Sequence, residues 1–207
     1  MAGRSKQSKR WLREHSTDAH VREARALGYR SRAVFKLREL DERYHLFNRG
    51  MQVLDLGAAP GGWSQYAAER VLPGGRVIAC DLLDIAPLEG VHTVIADFTD
   101  AQAAERIELM FRPQGADLVM SDMAPNMSGQ RAVDQPRALH LAELALASAH
   151  SLLNESGCFV TKLFQGAGSD AFVRSLKGSF ERVVVRKPAA SRPRSREVYA
   201  LAWNPKL

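Results

Sequence analysis

The sequence predicts an α/β fold: a mostly parallel sheet with helices on both faces. Three features predict it. Short apolar, β-branched runs alternate with segments of helical spacing from residue 52 onward. Glycines (Gly74–Gly75, Gly90, Gly115 and Gly157) stand just before the following strands, where helix-to-strand turns want them. The first strand also runs into a loop of small residues, Gly57-Ala-Ala-Pro60-Gly61-Gly62, that opens a helix at Trp63.

The 207 residues suffice for a sizeable core. Residues 1–10 are rich in Ser, Lys, Arg and Gly and read as a basic, flexible tail; residues 11–207 read as one domain, with helices in 11–49. Thr17 can cap a helix over Asp18–Leu27 that ends at Gly28, and Ser31 a second over Arg32–Arg43. The strands are expected at Gln52–Asp55, Arg76–Cys80, Thr93–Ile95, Ala116–Ser121, Cys158–Phe164, Arg182–Val185 and Val198–Ala202. Helices are expected between them at Trp63–Val71, Ala101–Met110, Pro136–Leu153 and Asp170–Ser179. The link Lys187–Glu197 is rich in Pro, Ser and Arg and has no helical pattern, which permits an antiparallel last strand.

Composition narrows the function. No apolar run nears the roughly 18 residues of a membrane span, and no apolar stretch follows the basic start, so neither a membrane protein nor a secreted one is expected. Cys80 and Cys158 each lie in an apolar run and read as buried thiols of a cytoplasmic protein. The six histidines are scattered, so no metal site is expected. The net charge of +6 is uneven: residues 1–50 hold 13 Lys and Arg against 6 acids, residues 181–197 hold 6 against 2, and residues 51–180 hold 9 against 15. The basic ends are interleaved with Trp11, Tyr29, Phe35 and Tyr44, a pattern suited to phosphates and stacked bases. The expected RNA contacts are Arg10, Arg13, Arg30, Arg32 and Arg38 at one end and Arg192, Arg194 and Arg196 at the other.

In an open α/β sheet the ligand sits beyond the carboxyl ends of the strands. Those ends hold Asp55–Gly62, Asp81, Asp97, Asp122 and Lys162. Asp81 comes 26 residues after Asp55, where such folds place the acid that takes ribose hydroxyls. The loop has neither the G-x-G-x-x-G spacing nor the Gly-Lys-Ser/Thr of a phosphate cradle, which speaks against a dinucleotide oxidoreductase. Asp97 and Phe98 can take an adenine. Lys162 near the end of an apolar strand is an unusual place for a charge.

The strings D-L-G-A-A-P-G-G-W-S-Q-Y, A-C-D-L-L, V-M-S-D-M-A-P-N-M-S-G, K-L-F-Q-G and S-R-E-V-Y, in order along the chain, resemble the RrmJ/FtsJ family of S-adenosylmethionine-dependent ribose 2′-O-methyltransferases. The likeness is greatest to the bacterial members that methylate a uridine in the A-loop of 23S ribosomal RNA. It implies a Rossmann-like methyltransferase fold of seven strands, the last antiparallel. It implies that S-adenosylmethionine is held by Gly57, Pro60, Gly61, Gly62 and Trp63, with Asp81 on the ribose, Asp97 and Phe98 near the adenine and Asp122 near the methionine end. It implies a catalytic set of Lys36, Asp122, Lys162 and Glu197. The partner implied is ribosomal RNA; no large apolar helix face is left over in the sequence, so a monomer is expected. Val34, Ala167 and Ser169 depart from the family pattern. Lys162 is favoured as the proton acceptor; as an ammonium it would instead stabilise alkoxide charge. An RNA-binding protein without catalysis and a transfer-RNA methylase are the alternatives.

Overall fold

The computed structural model describes residues 18–206. In chain order the elements are α1 (Ala19–Ala26), α2 (Val34–Tyr44), β1 (Gln52–Leu56), α3 (Gly62–Val71), β2 (Arg76–Asp81), β3 (Val91–Ile95), α4 (Ala101–Phe111), β4 (Ala116–Ser121), α5 (Arg131–Leu152), β5 (Leu153–Phe164), α6 (Ser169–Ser179), β6 (Phe180–Arg186) and β7 (Glu197–Pro205). The seven strands form one sheet in the order β3-β2-β1-β4-β5-β7-β6. The pairs β1–β2, β2–β3, β1–β4 and β4–β5 are parallel, and β7 runs antiparallel between β5 and β6. The antiparallel last strand follows from the non-helical link before it, as expected.

Strand alternation builds two cores. Val53, Val160, Tyr199 and Leu201 face one way and pack with Phe35, Leu37, Trp63 and Tyr66 of α2 and α3. Leu54, Leu56, Phe159, Leu163 and Val198 face the other way and meet Ile107, Phe111, Ala145 and Leu176 of α4, α5 and α6. The period of two along each strand thus divides the helices between the two faces.

Several boundaries differ from expectation. Thr17 lies outside the described residues. Asp18 caps α1, its carboxylate accepting from the His20 amide at 3.0 Å. Ser31 accepts from the Ala33 amide at 3.1 Å, but α2 proper begins only at Val34, after a turn of short-range bonds. α5 begins at Arg131, ahead of Pro136, because Asp134 gathers Ser128 and Gly129 onto its start. β5 starts at Leu153 rather than Cys158; Gly157 lies within it, beyond a register shift against β4.

Candidate active site

The strand order reverses at β1, which lies between β2 and β4. A crevice is expected at that switch point. It is present as a cleft of about 540 Å³ lined by Gly57, Ala59, Asp81, Leu82, Asp97, Phe98, Asp122, Met123 and Leu144, among others. Among the described residues its lining holds three carboxylates and no Lys or Arg.

The loop after β1 is drawn onto β2. The Gly57 and Ala58 amides donate to the Cys80 carbonyl, and the Ala59 amide donates to Asp81 Oδ2 at 2.9 Å. Asp81 Oδ1 accepts from the Leu83 amide. An ionised carboxylate has about four acceptor positions, so Asp81 retains capacity for ribose hydroxyls. Gly57 has φ +70°, and a Cβ there would meet Met123 Cγ at 2.2 Å. The position therefore excludes a side chain twice over. The Thr99 hydroxyl and amide both donate to Asp97 Oδ1 and hold that carboxyl below its usual range.

Trp63 turns into the core: its ring packs on Tyr199 at 5.7 Å and its indole N–H donates to the Ala33 carbonyl. Pro60, Gly62 and Trp63 line a smaller recess of about 70 Å³ that shares Gly57, Ala59 and Asp122 with the cleft. Gly61 is buried against Arg30 and Ile85. Asp55 is a buried strand residue rather than a rim acid, and its Oδ2 accepts from the Ser64 hydroxyl at 2.6 Å. Burial first, and then the charges of Asp122 and Asp81, push the Asp55 carboxyl up to about 7 against the pull of Ser64.

That shift makes a stability prediction. An acid whose folded value is raised loses native stability as pH climbs from about 4 to about 7, by on the order of 4 kcal/mol. Asp55→Asn removes the titration and keeps an oxygen for Ser64. Urea unfolding should show the variant gaining on wild type between pH 5 and pH 8 by a few kcal/mol. A difference that does not move with pH contradicts the account.

Beside the cleft, at Asp122, lies a set of buried charges. Lys162 Nζ lies 2.6 Å from Asp122 Oδ1 and 2.8 Å from the Asp122 carbonyl. Lys36 Nζ pairs with Glu197 Oε1 at 2.7 Å. Lys36, Lys162 and Glu197 are all more than 90% buried. The Tyr199 hydroxyl donates to Asp122 Oδ1, and Lys36 lies over the Tyr199 ring at 5.8 Å. Burial would raise the Asp122 carboxyl, but Lys162 and Lys36, with the bonds from Lys162 and Tyr199, hold it below its ordinary value. Glu197 is held low in the same way against its burial, chiefly by Lys36. Burial and the two carboxylates push the Tyr199 phenol well above its usual value, so it stays a donor. The β5–β7 register sets Lys162 opposite Tyr199 and Phe164 opposite Glu197. Tyr199 was missed as a site residue, although it lies two positions after Glu197 on the same face of β7.

The basic ends meet beside this set. Arg32 pairs with Asp18 and donates to the Ala190 carbonyl, and Arg192 reaches the same Asp18 carboxylate at 3.3 Å. Glu39 accepts from the Ala189 and Ala190 amides. Lys187 donates to the Pro193 and Ser195 carbonyls. The link to β7 is thereby tied down before it delivers Glu197. Arg38 lies over the Phe35 ring, Arg196 donates to the Gln165 carbonyl, and Arg194 is exposed on the link. Arg30, half-buried, reaches three backbone carbonyls at and beside the Gly57–Gly62 loop. Arg10 and Arg13 lie outside the described residues.

Residues 29–204 match the model of the FtsJ-like methyltransferase family. The chain belongs to this family. The chain is similar along its whole length to the ribosomal RNA large subunit methyltransferase E of Xanthomonas oryzae pv. oryzae, at 53% identity over 100% of this chain and 99% of that one. It is also similar to the protein of the same name from Cellvibrio japonicus, at 54% identity over 96% and 94% of the two chains. Among solved structures, a Plasmodium falciparum protein assigned as a ribosomal RNA methyltransferase superposes with a TM-score of 0.76 and 25% identity, over 86% of this chain and 98% of that one. Among the described residues, no helix is long and apolar enough to cross a membrane, and no three His, Cys, Asp or Glu side chains are grouped to hold a metal ion.

Proposed function

We propose that the chain transfers a methyl group from S-adenosylmethionine to the 2′-hydroxyl of a ribose in RNA, and that this ribose belongs to a uridine in the A-loop of large-subunit ribosomal RNA. A single copy of the chain would act on that RNA in the cytoplasm. The observation that carries the reading is the junction of two sites at Asp122: an acid-lined cleft without cations, and a buried Lys–Asp pair. Three carboxylates repel a pyrophosphate and suit a nucleoside with a positively charged tail. The names of the relatives support ribosomal RNA as the substrate.

The residues fit the donor. Asp81 would take the ribose hydroxyls, Asp97 and Phe98 the adenine, and Asp122 the cationic methionine end, with the Gly57–Ala59 backbone alongside. When bound, S-adenosylmethionine supplies an electrophilic methyl carbon on a sulfonium. To accept the proton of the 2′-hydroxyl as the oxygen attacks, Lys162 must first release its own ammonium proton to solvent and act as the neutral amine. Asp122 orients Lys162, and Tyr199 fixes Asp122 from behind. The Lys36–Glu197 pair positions the ribose, with Lys36 favouring negative charge on the attacking oxygen.

The basic ends would hold the RNA backbone. Arg194, exposed on the link, is the probe. Arg194→Glu should weaken RNA binding and reduce its salt slope by about 1 or more, leaving S-adenosylmethionine affinity unchanged. Fluorescence anisotropy across a salt series reads this, and an unchanged slope removes Arg194 from the RNA surface. Two measurements test the function. Calorimetry with S-adenosylmethionine and with NAD should show binding of the first alone. Labelled donor offered to free ribosomal RNA, isolated large subunits and transfer RNA should label a large-subunit substrate. Labelling of transfer RNA alone, or of nothing, overturns the proposal.

A further inference from the structure

We propose that Arg30 is a positioning residue for the methyl-donor site, acting on the donor-binding loops rather than on RNA. The inference rests on the donor reading above. Arg30 Nη1 donates to the Ala86 carbonyl at 2.6 Å and to the Pro60 carbonyl at 3.4 Å, and Nη2 donates to the Pro87 carbonyl at 2.8 Å. One side chain thereby joins two loops far apart in sequence. The first contains Gly57 and Ala59, and the second follows directly on Asp81 and Leu82; all four line the donor cleft.

The surroundings are shaped to admit this side chain. A Cβ on Gly61, at φ +102°, would lie 3.1 Å from both Arg30 Nη1 and Ile85 Cγ2. A Cβ on Gly62 would lie 2.8 Å from Ser31 Cβ. These two glycines of the donor loop therefore leave room for the Arg30–Ser31 segment from behind. That segment is itself riveted to α3. The Arg30 amide donates to Gln65 Oε1, Gln65 Nε2 donates to the Gly28 carbonyl, and the Tyr29 hydroxyl donates to Glu69.

The chemistry explains why the residue is arginine. The stretch between β2 and β3 is without helix or strand over 82–90, so the Ala86 and Pro87 carbonyls lie outside the sheet ladder and take a donor from elsewhere. A planar guanidinium offers five donors in a fixed fork and can serve three carbonyls at once, whereas a lysine ammonium cannot match that geometry. Without the clasp, the donor must order both loops as it binds, and affinity falls by that ordering cost.

The test compares wild type, Arg30→Ala and Arg30→Lys. Calorimetry should give an S-adenosylmethionine Kd about tenfold or more weaker for the alanine variant and several-fold weaker for lysine. The KM for donor should rise in parallel, with kcat at saturating donor within about threefold of wild type. RNA affinity measured without donor should stay within about twofold of wild type. Arg30→Lys keeps the charge and most of the stem, so it reports even if the alanine variant does not fold. Unchanged donor affinity in the lysine variant, or RNA affinity lost as much as donor affinity, overturns the inference. If wild type itself binds no S-adenosylmethionine, the donor reading falls and the inference with it.

Discussion

Lys162→Met is expected to lower methyl transfer by about 10³-fold, within the 10²–10⁴ range typical of a lost general base, while the variant still binds S-adenosylmethionine. Lys162 does not line the donor cleft. Its Nζ is bonded only to Asp122, through Oδ1 and the carbonyl, in the hydrogen bonds of the described residues. Donor affinity should therefore change far less than kcat. A second variant separates the two roles a buried lysine can have. Lys162→Arg keeps a cation near Asp122 but cannot accept a proton at neutral pH. If Lys162 is the proton acceptor, the arginine variant falls nearly as far as the methionine variant. Near wild-type turnover by Lys162→Arg would assign the residue to electrostatic stabilisation instead. Single-turnover assays at saturating donor read the chemical step directly.

Asp122→Ala is the second large effect, and it should appear in stability as well as in activity. The substitution strips Lys162 of its carboxylate partner and leaves the Tyr199 hydroxyl without its acceptor. Breaking a buried pair costs about 3–5 kcal/mol. Activity should fall by about 10² or more, with weaker donor binding, because Asp122 also lines the donor cleft. The pH dependence has a definite sign. The Asp122 and Glu197 carboxyls are both held below their ordinary values. The stability they contribute is fully present above about pH 5 and is lost as pH falls through their depressed folded values. In Asp122→Ala the acid loss of stability should be shallower than in wild type. Chemical denaturation from pH 3 to pH 7 reads it, and an equally steep loss contradicts the pairing.

Much of this was legible in the sequence, for physical reasons that also mark where legibility ends. The parallel sheet followed from apolar periodicity and from glycines at Gly74, Gly90 and Gly115, which are local signals. The carboxylates Asp81, Asp97 and Asp122 were visible because they recur in register at strand ends, where a single acid would be an unremarkable helix cap. Lys162 stood out because a charge near the end of an apolar strand is unusual. Resemblance alone joined Lys36 to Glu197, and the fold makes the contact by tying the link before β7 to Glu39 and α2. Arg30 reads in the sequence as an RNA contact, and a local pattern of arginines and aromatics looks alike whether the guanidinium faces a phosphate or a carbonyl. Its partners at Ala86 and Pro87 are set by tertiary approach. Asp55 was grouped with the rim acids because its spacing was right, but its strand position turns it toward Ser64 and the protein interior. Tyr199 was passed over because a tyrosine in an apolar strand is unremarkable until the opposite strand is known to carry Lys162.

The central claim is that the methyl group goes to a ribose 2′-oxygen, and alkaline hydrolysis of the labelled product tests it most directly. A 2′-O-methyl group removes the nucleophile that cleaves the adjoining phosphodiester. Large-subunit RNA methylated by the wild-type chain should therefore yield its label in an alkali-resistant dinucleotide with uridine at the 5′ position, and the Lys162→Met protein should yield none. Label released in ordinary mononucleotides would place the methyl group on a base and contradict the account.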